Sequence, residues 1–209
     1  DSWFRDNGIE VCTGEPVVSV NRENKTVTTT TGRVQRYTHL VLATGSRPAK
    51  PGLPGQDLPG VMTFRDLDDA RTLIDAARKH RRAVVIGGGF LGLEAAEGLR
   101  QRGMAVTLLH RSSHLLNRQL DEIGGHLLQQ HMEERGVSVR TAVAPKALLG
   151  RSMVRAVQLD DETLISTDLV VIAAGITPNT ELAREAGLDC ERAICVNPQL
   201  QTSDPYIYA

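Results

Sequence analysis

The segment Ala83-Val84-Val85-Ile86-Gly87-Gly88-Gly89-Phe90-Leu91-Gly92 restricts the fold more than any other stretch of the 209-residue chain. Ala83–Ile86 is a short, continuous apolar run rich in β-branched residues. Such a run suits a strand buried on both faces of a parallel sheet. A G-x-G-x-x-G pattern follows, and then a helical stretch to about Arg102. Each glycine in that spacing meets a physical demand. Gly87 permits the tight turn, Gly89 offers bare backbone to a pyrophosphate, and Gly92 lets the helix pack close to the strand. The helix start adds unpaired N–H groups and a partial positive charge. Gly87, Gly88, Gly89, Phe90, Leu91 and Gly92 are therefore candidate dinucleotide-binding residues. A glycine-rich turn without a ligand is the alternative, and the strand before and helix after argue against it.

The second strand, Ala105–Leu109, ends where an acidic residue would hold the adenosine ribose of NAD. His110 and Arg111 stand there instead. Cations suit a 2′-phosphate, which favours NADPH over NADH; a solvated strand end is the other explanation. Glu94, two residues past Gly92, is expected in the first helical turn, where it can serve the helix dipole or face a nicotinamide carboxamide. His39, His80, His114, His126 and His131 form no metal-ligand spacing.

Elsewhere, strand signals cover Ile9–Cys12, Val17–Val20, Thr26–Thr30, Tyr37–Leu42, Val137–Val139, Met153–Leu159 and Leu169–Ala173, after a helix tail at residues 1–7. Asp66–Lys79 has helical periodicity, with Leu67, Ala70, Leu73, Ile74 and Ala77 on one face. Arg118–Arg135 is a second such helix, with Leu120, Ile123, Leu127 and Leu128 predicted on its buried face. The β-α-β-α-β order predicts an α/β fold with a Rossmann-like, doubly wound sheet. The Pro- and Gly-rich 47–55 reads as a linker, dividing the chain into 1–60, 61–178 and 179–209. Leu40-Val41-Leu42-Ala43-Thr44-Gly45-Ser46-Arg47-Pro48 is echoed by Val170-Val171-Ile172-Ala173-Ala174-Gly175-Ile176-Thr177-Pro178. In each copy, a glycine after the strand permits close backbone approach.

A formal net charge of −1 gives no electrostatic case for nucleic acid or an anionic membrane. No apolar run nears the ~20 residues of a membrane helix, and no signal peptide is visible. Cys12, Cys190 and Cys195 are odd in number and lack C-x-x-C spacing. They support neither a disulfide framework nor a zinc site, and a reducing cytoplasm is expected. The chain opens without Met and stops just after Tyr206-Ile207-Tyr208, so a fragment of a longer polypeptide is expected.

Four ordered motifs, Ala43–Pro48, Gly87–Glu94, Ala173–Asn179 and Thr202–Ala209, resemble the pyridine nucleotide–disulfide oxidoreductase superfamily. The resemblance implies an NAD(P) domain at 61–178 inserted into an FAD domain contributed by 1–60 and 179–209. It matches Val17, Ala43, Thr44 and Gly45 to FAD-lining positions. Gly87, Gly89, Gly92, Glu94 and Gly175 match positions around NAD(P)H. Within the superfamily, Trp3-Phe4, Asn7-Gly8-Ile9 and Gln119–Leu128 are most similar to NAD(P)H nitrite reductase large subunits. That similarity implies hydride transfer from NAD(P)H to FAD, with electrons passing to iron–sulfur and siroheme domains elsewhere in the parent for nitrite reduction. Rubredoxin and ferredoxin reductases and NADH oxidase-like enzymes share the plan. An NAD(P)-sensing binding module is a further alternative, although it has no need of the flavin-lining flanks. The isolated chain is expected to be inactive and to retain no FAD.

Overall fold

A computed structural model describes residues 2–209. They form two compact units, one of 2–46 with Pro178–Ala209 and one of Arg47–Thr177.

The first unit opens with a short helix, α1 (Ser2–Asp6), none of whose residues is buried. Strands β1 (Val17–Asn21), β2 (Thr26–Thr29) and β3 (Val34–Arg36) make an antiparallel sheet in the order β1-β2-β3. The Asn21 side chain closes the β1–β2 turn by accepting the Asn24 N–H at 2.8 Å. The strand predicted at Ile9–Cys12 does not form. That stretch is exposed, and its polar side chains turn to Arg33, which reaches Glu10 at 2.8 Å and the Cys12 sulfur at 2.9 Å. The strand predicted over Tyr37–Leu42 contracts to β4 (Leu40–Val41).

The second unit is built on a five-stranded parallel sheet. After β5 (Ser46–Pro48) come β6 (Val61–Thr63), α2 (Leu67–Lys79), β7 (Arg82–Ile86), α3 (Phe90–Gln101), β8 (Ala105–Leu109), α4 (Glu122–Glu134) and β9 (Val137–Arg140). An antiparallel meander follows, β10 (Pro145–Gly150), β11 (Val154–Leu159) and β12 (Leu164–Ser166), then β13 (Leu169–Ile172) and β14 (Ile176–Pro178). The sheet order is β6-β13-β7-β8-β9, so the chain steps outward from β7 through β8 to β9 and then doubles back to place β13 on the other side of β7. Alternate residues face opposite cores. Ala83, Val85, Leu169 and Val171 pack with Leu73, Ala77, Ala96 and Leu99 from the helices. Val84, Ile86, Val170 and Ile172 pack with Leu148, Val154, Val157 and Leu159. The Rossmann-like α/β expectation holds, with β10–β12 rather than helices covering that second face.

Helix α2 starts where expected because Asp66 and Asp69 form a reciprocal capping box. Helix α4 begins at Glu122, later than the predicted Arg118. Residues 118–121 are spent on a turn in which Leu120 N–H bonds to Leu116 C=O at 2.9 Å, and Asp121 then caps Gly124 N–H at 2.8 Å. The predicted apolar face of α4 is also turned outward: Ile123 is 73% and Leu127 61% exposed, while Gly125 and Met132 are buried and Leu128 partly so. Gly125 governs this rotation. A Cβ on it would stand 2.6 Å from the His114 ring, so the glycine edge of the helix is the one that can lie against the 110–117 loop.

The stretch 47–55, expected as a linker, lies within the second unit. Leu148 N–H bonds to Pro54 C=O at 2.8 Å and Val154 N–H to Pro59 C=O at 2.9 Å. Leu53 and Val61 complete that core.

The first unit resumes with α5 (Glu181–Glu185) and β15 (Ile207–Tyr208), which pairs in parallel with β4. Its small core gathers Leu42, Ala183, Leu188 and Ile207. Arg22 ties the return together, bonding Asp204 at 2.8 Å and the Gly187 carbonyl at 2.9 Å.

Candidate functional site

The glycine turn lies at the carboxyl end of β7, where the strand order reverses. That is where open α/β sheets bind ligands. Three of its glycines are closed in, Gly87 and Gly92 against backbone and Gly88 against side chains. Gly87 has φ +125°, and a Cβ there would stand 2.3 Å from the Ala173 carbonyl oxygen. A Cβ on Gly88 would meet the His110 ring and Leu115 at 2.7 Å, and one on Gly92 would come within 1.7 Å of the Gly87 carbonyl. Gly89 differs: nothing lies within 4 Å of the place its Cβ would take. Gly89 is also the N-cap of α3 and supplies no side-chain cap. Open space therefore fronts a run of helix N–H donors, with the side chains of Phe90 exposed and Leu91 half-buried beside them. A phosphate group fits that cradle in charge and in donor chemistry.

His110 sits at the end of β8, and its ring faces the turn. Gly88 N–H donates to His110 Nδ1 at 3.1 Å. Nδ1 therefore has no proton, so Nε2 carries one and donates it to Asn117 Oδ1 at 3.2 Å. Burial pushes the imidazole's pKa below the ordinary histidine range and the neighbouring Arg111 charge adds to this, against the opposing Asn117 bond. The expectation of two cations at this strand end is thereby reduced to Arg111, which is exposed.

The loop after His110 closes over the same glycine. Leu116 N–H donates to Gly88 C=O at 3.0 Å, and Leu115 is wholly buried behind it. Leu115, Leu116 and Asn117 were not among the predicted site residues. The paired leucines in an otherwise polar loop were the signal for them. Glu94 is the fifth residue of α3, outside the first turn, so it caps no N–H there. It is exposed and borders a shallow apolar cleft with Leu73, Ile74 and Gly98. Gly175 has φ +117° with open space around it, and its carbonyl accepts the Ala49 N–H at 3.0 Å.

In the first unit, Gly45 has φ +65° and is likewise unobstructed. Thr44 and Asn179 are bound reciprocally: the Thr44 hydroxyl donates to Asn179 C=O at 2.6 Å, and Asn179 Nδ2 donates to Thr44 C=O at 2.9 Å. Ala43 and Val17 are exposed. Among the described residues, no group of three His, Cys, Asp or Glu side chains could hold a metal ion, and no helix is long and apolar enough to cross a membrane. All three cysteines are free.

A reversed parallel sheet with an open glycine cradle at its switch point defines a Rossmann-like α/β unit. The chain belongs to the pyridine nucleotide–disulphide oxidoreductase family, flavin-dependent NAD(P)H oxidoreductases, whose family model matches residues 4–209. It is 44% identical over 207 residues to a nitrite reductase [NAD(P)H] of Bacillus subtilis, covering 99% of this chain and 26% of that protein. It is 38% identical to the assimilatory nitrate reductase electron transfer subunit of the same organism, covering 99% of this chain and 27% of that one. Among solved structures, the ferredoxin reductase for the CYP199A2 system of Rhodopseudomonas palustris superposes with a TM-score of 0.95 at 32% identity, over 100% of this chain and 52% of that one. The chain thus spans about a quarter of the length of these curated relatives.

Proposed function

We propose that Arg47–Thr177 is the NAD(P)H-binding unit of an FAD-dependent oxidoreductase, and that the other unit contributes to its FAD-binding domain. The observation that carries this is the contrast at the turn: Gly87, Gly88 and Gly92 are closed in, and Gly89 alone of the four opens onto free space. In this reading the α3 N–H groups at Phe90, Leu91 and Gly92 hold the pyrophosphate. Gly175 and Glu94 border the nicotinamide end, and Arg111 the adenosine end, where its charge favours NADPH. Val17, Ala43, Thr44 and Gly45 line the flavin. When both cofactors are bound, NAD(P)H supplies a hydride and the flavin accepts it.

For the parent enzyme we favour nitrite reduction to ammonia in the cytoplasm, with electrons leaving through iron–sulfur and siroheme domains. The nitrite reductase similarity supports this, and the free cysteines fit a reducing compartment. A ferredoxin reductase is the second reading, supported by the superposition over the whole chain. The sequence given holds a single G-x-G-x-x-G turn. On that basis the isolated chain is proposed to lack activity and to hold no stoichiometric flavin.

Calorimetric titration of the chain with NADPH and NADH tests the central claim. Saturable binding of either, weakened by Gly89→Val, is expected. No binding of either at millimolar concentration overturns it.

A further inference from the structure

His110 occupies the strand end where a ribose- or phosphate-reading side chain was expected, yet both of its ring nitrogens are committed elsewhere. The Gly88 N–H can only donate, so Nδ1 must be an acceptor, and Asn117 Oδ1 can only accept, so Nε2 must carry the proton. Gly88 is held from three sides: its N–H by His110, its C=O by Leu116, and its α-carbon face by the His110 ring and Leu115. The turn's shape therefore depends on one tautomer of one imidazole. We propose that His110 is a positioning residue for the dinucleotide turn: as the neutral Nε2–H tautomer fixed by Asn117, it takes up the Gly88 N–H, holds the turn open at Gly89, and makes dinucleotide binding depend on its remaining unprotonated. This rests on the dinucleotide reading above.

The chemistry is direct. A proton on Nδ1 would face the Gly88 N–H donor to donor. The ring or the glycine must then move, and the cradle with it. The charged and titratable groups around the ring are Arg111 and His114 on its own loop and Arg140 on β9, whose carbonyl accepts the His110 N–H at 2.8 Å. Arg111 opposes a second positive charge on the ring, and His114 adds to this more weakly. His114 is engaged separately, by Ser113 at 3.1 Å and the Leu120 carbonyl at 3.3 Å. Burial and Arg111 push the His110 pKa down, so the turn keeps its acceptor through neutral pH and loses it only on acidification.

The test is the dissociation constant of NADH between pH 5.5 and 8.5, because NADH has no 2′-phosphate to titrate in that range. Wild type is expected to weaken toward acid by less than the roughly tenfold that an unshifted imidazole would give at pH 5.5, because the His110 pKa is lowered. His110→Asn keeps an acceptor near the Nδ1 position without titrating, and should lose the acid limb. His114→Gln should retain it. Nitrogen-15 NMR of the labelled chain should report an unprotonated Nδ1 and a protonated Nε2 on His110 at neutral pH, a readout that a merely space-filling ring would not fix. An acid limb that persists in His110→Asn, or a proton on Nδ1, overturns the proposal alone. Absence of NADH binding at every pH overturns the dinucleotide reading and this proposal with it.

Discussion

A Cβ on Gly92 would stand 1.7 Å from the carbonyl oxygen of Gly87. The contact joins the first residue after β7 to the first turn of α3, and no flexible group can move aside there. Gly92→Ala is accordingly expected to destabilise the chain by about 3 kcal/mol, through overpacking against backbone. Gly89→Ala is the counterpart: its space is empty and its φ of −88° suits any residue. It should melt within a degree or two of wild type yet bind NADH about tenfold more weakly, since its methyl group enters the cradle. Thermal unfolding with NADH titration separates the two. Equal melting temperatures for both variants would contradict the packing argument.

Acid stability follows from the first unit's Arg22–Asp204 pair. Burial pushes the Asp204 carboxyl up, but the Arg22 hydrogen bond, the Tyr206 N–H and nearby charges outweigh it and hold it below the ordinary 3.8. A carboxyl with a depressed folded pKa contributes stability that is complete above its unfolded value and lost as pH falls through the folded value. Asp168 in the second unit follows the same pattern: burial raises it, while the Arg81 and Arg82 N–H groups and the Arg82 guanidinium lower it further. Denaturant unfolding should therefore show Asp204→Asn about 1–3 kcal/mol less stable than wild type at pH 7, with the gap narrowing below pH 4. A gap independent of pH would sink the assignment.

The sheet was largely legible in the sequence because Ala83–Ile86 of β7 and the whole of β13 are buried on both faces and read as unbroken apolar runs. The glycine turn was legible because its constraints are backbone constraints, fixed by spacing alone. The role of His110 was not, because it depends on a hydrogen bond to Gly88, 22 positions earlier in the chain. Nor was the facing of α4. Periodicity identified a stripe of large apolar residues, but Gly125 determines which edge can approach the 110–117 loop, and that excludes Ile123 and Leu127 from the core. Capping hid the start of the same helix, since Asp121 rather than the apolar pattern begins it.

This gives a stability contrast that the sequence pattern alone would invert. Ile123→Lys and Leu127→Lys remove little buried surface and should each change stability by less than about 0.5 kcal/mol. Met132, 6% exposed in the main core, should cost about 2–4 kcal/mol as Met132→Ala. Urea midpoints for the three variants provide the measurement. A large loss from either lysine variant would mean that α4 is rotated from the position described.

On the proposed dinucleotide reading, cofactor preference would turn on Arg111. With the His110 ring committed to Gly88 and Asn117, Arg111 is the exposed cation of the pair. A guanidinium can take a 2′-phosphate in a bidentate pair, whereas a ribose hydroxyl gives it one weak partner. Wild type should bind NADPH more tightly than NADH. Arg111→Ala should raise the NADPH dissociation constant about tenfold, or about 1.4 kcal/mol, and leave that for NADH within about twofold. The NADPH contact should also weaken with salt more steeply than the NADH contact, because it adds a charged pair at the surface. Equal wild-type affinities for the two nucleotides would remove Arg111 from specificity. Equal losses of both in Arg111→Ala would assign it to the shape of the loop instead.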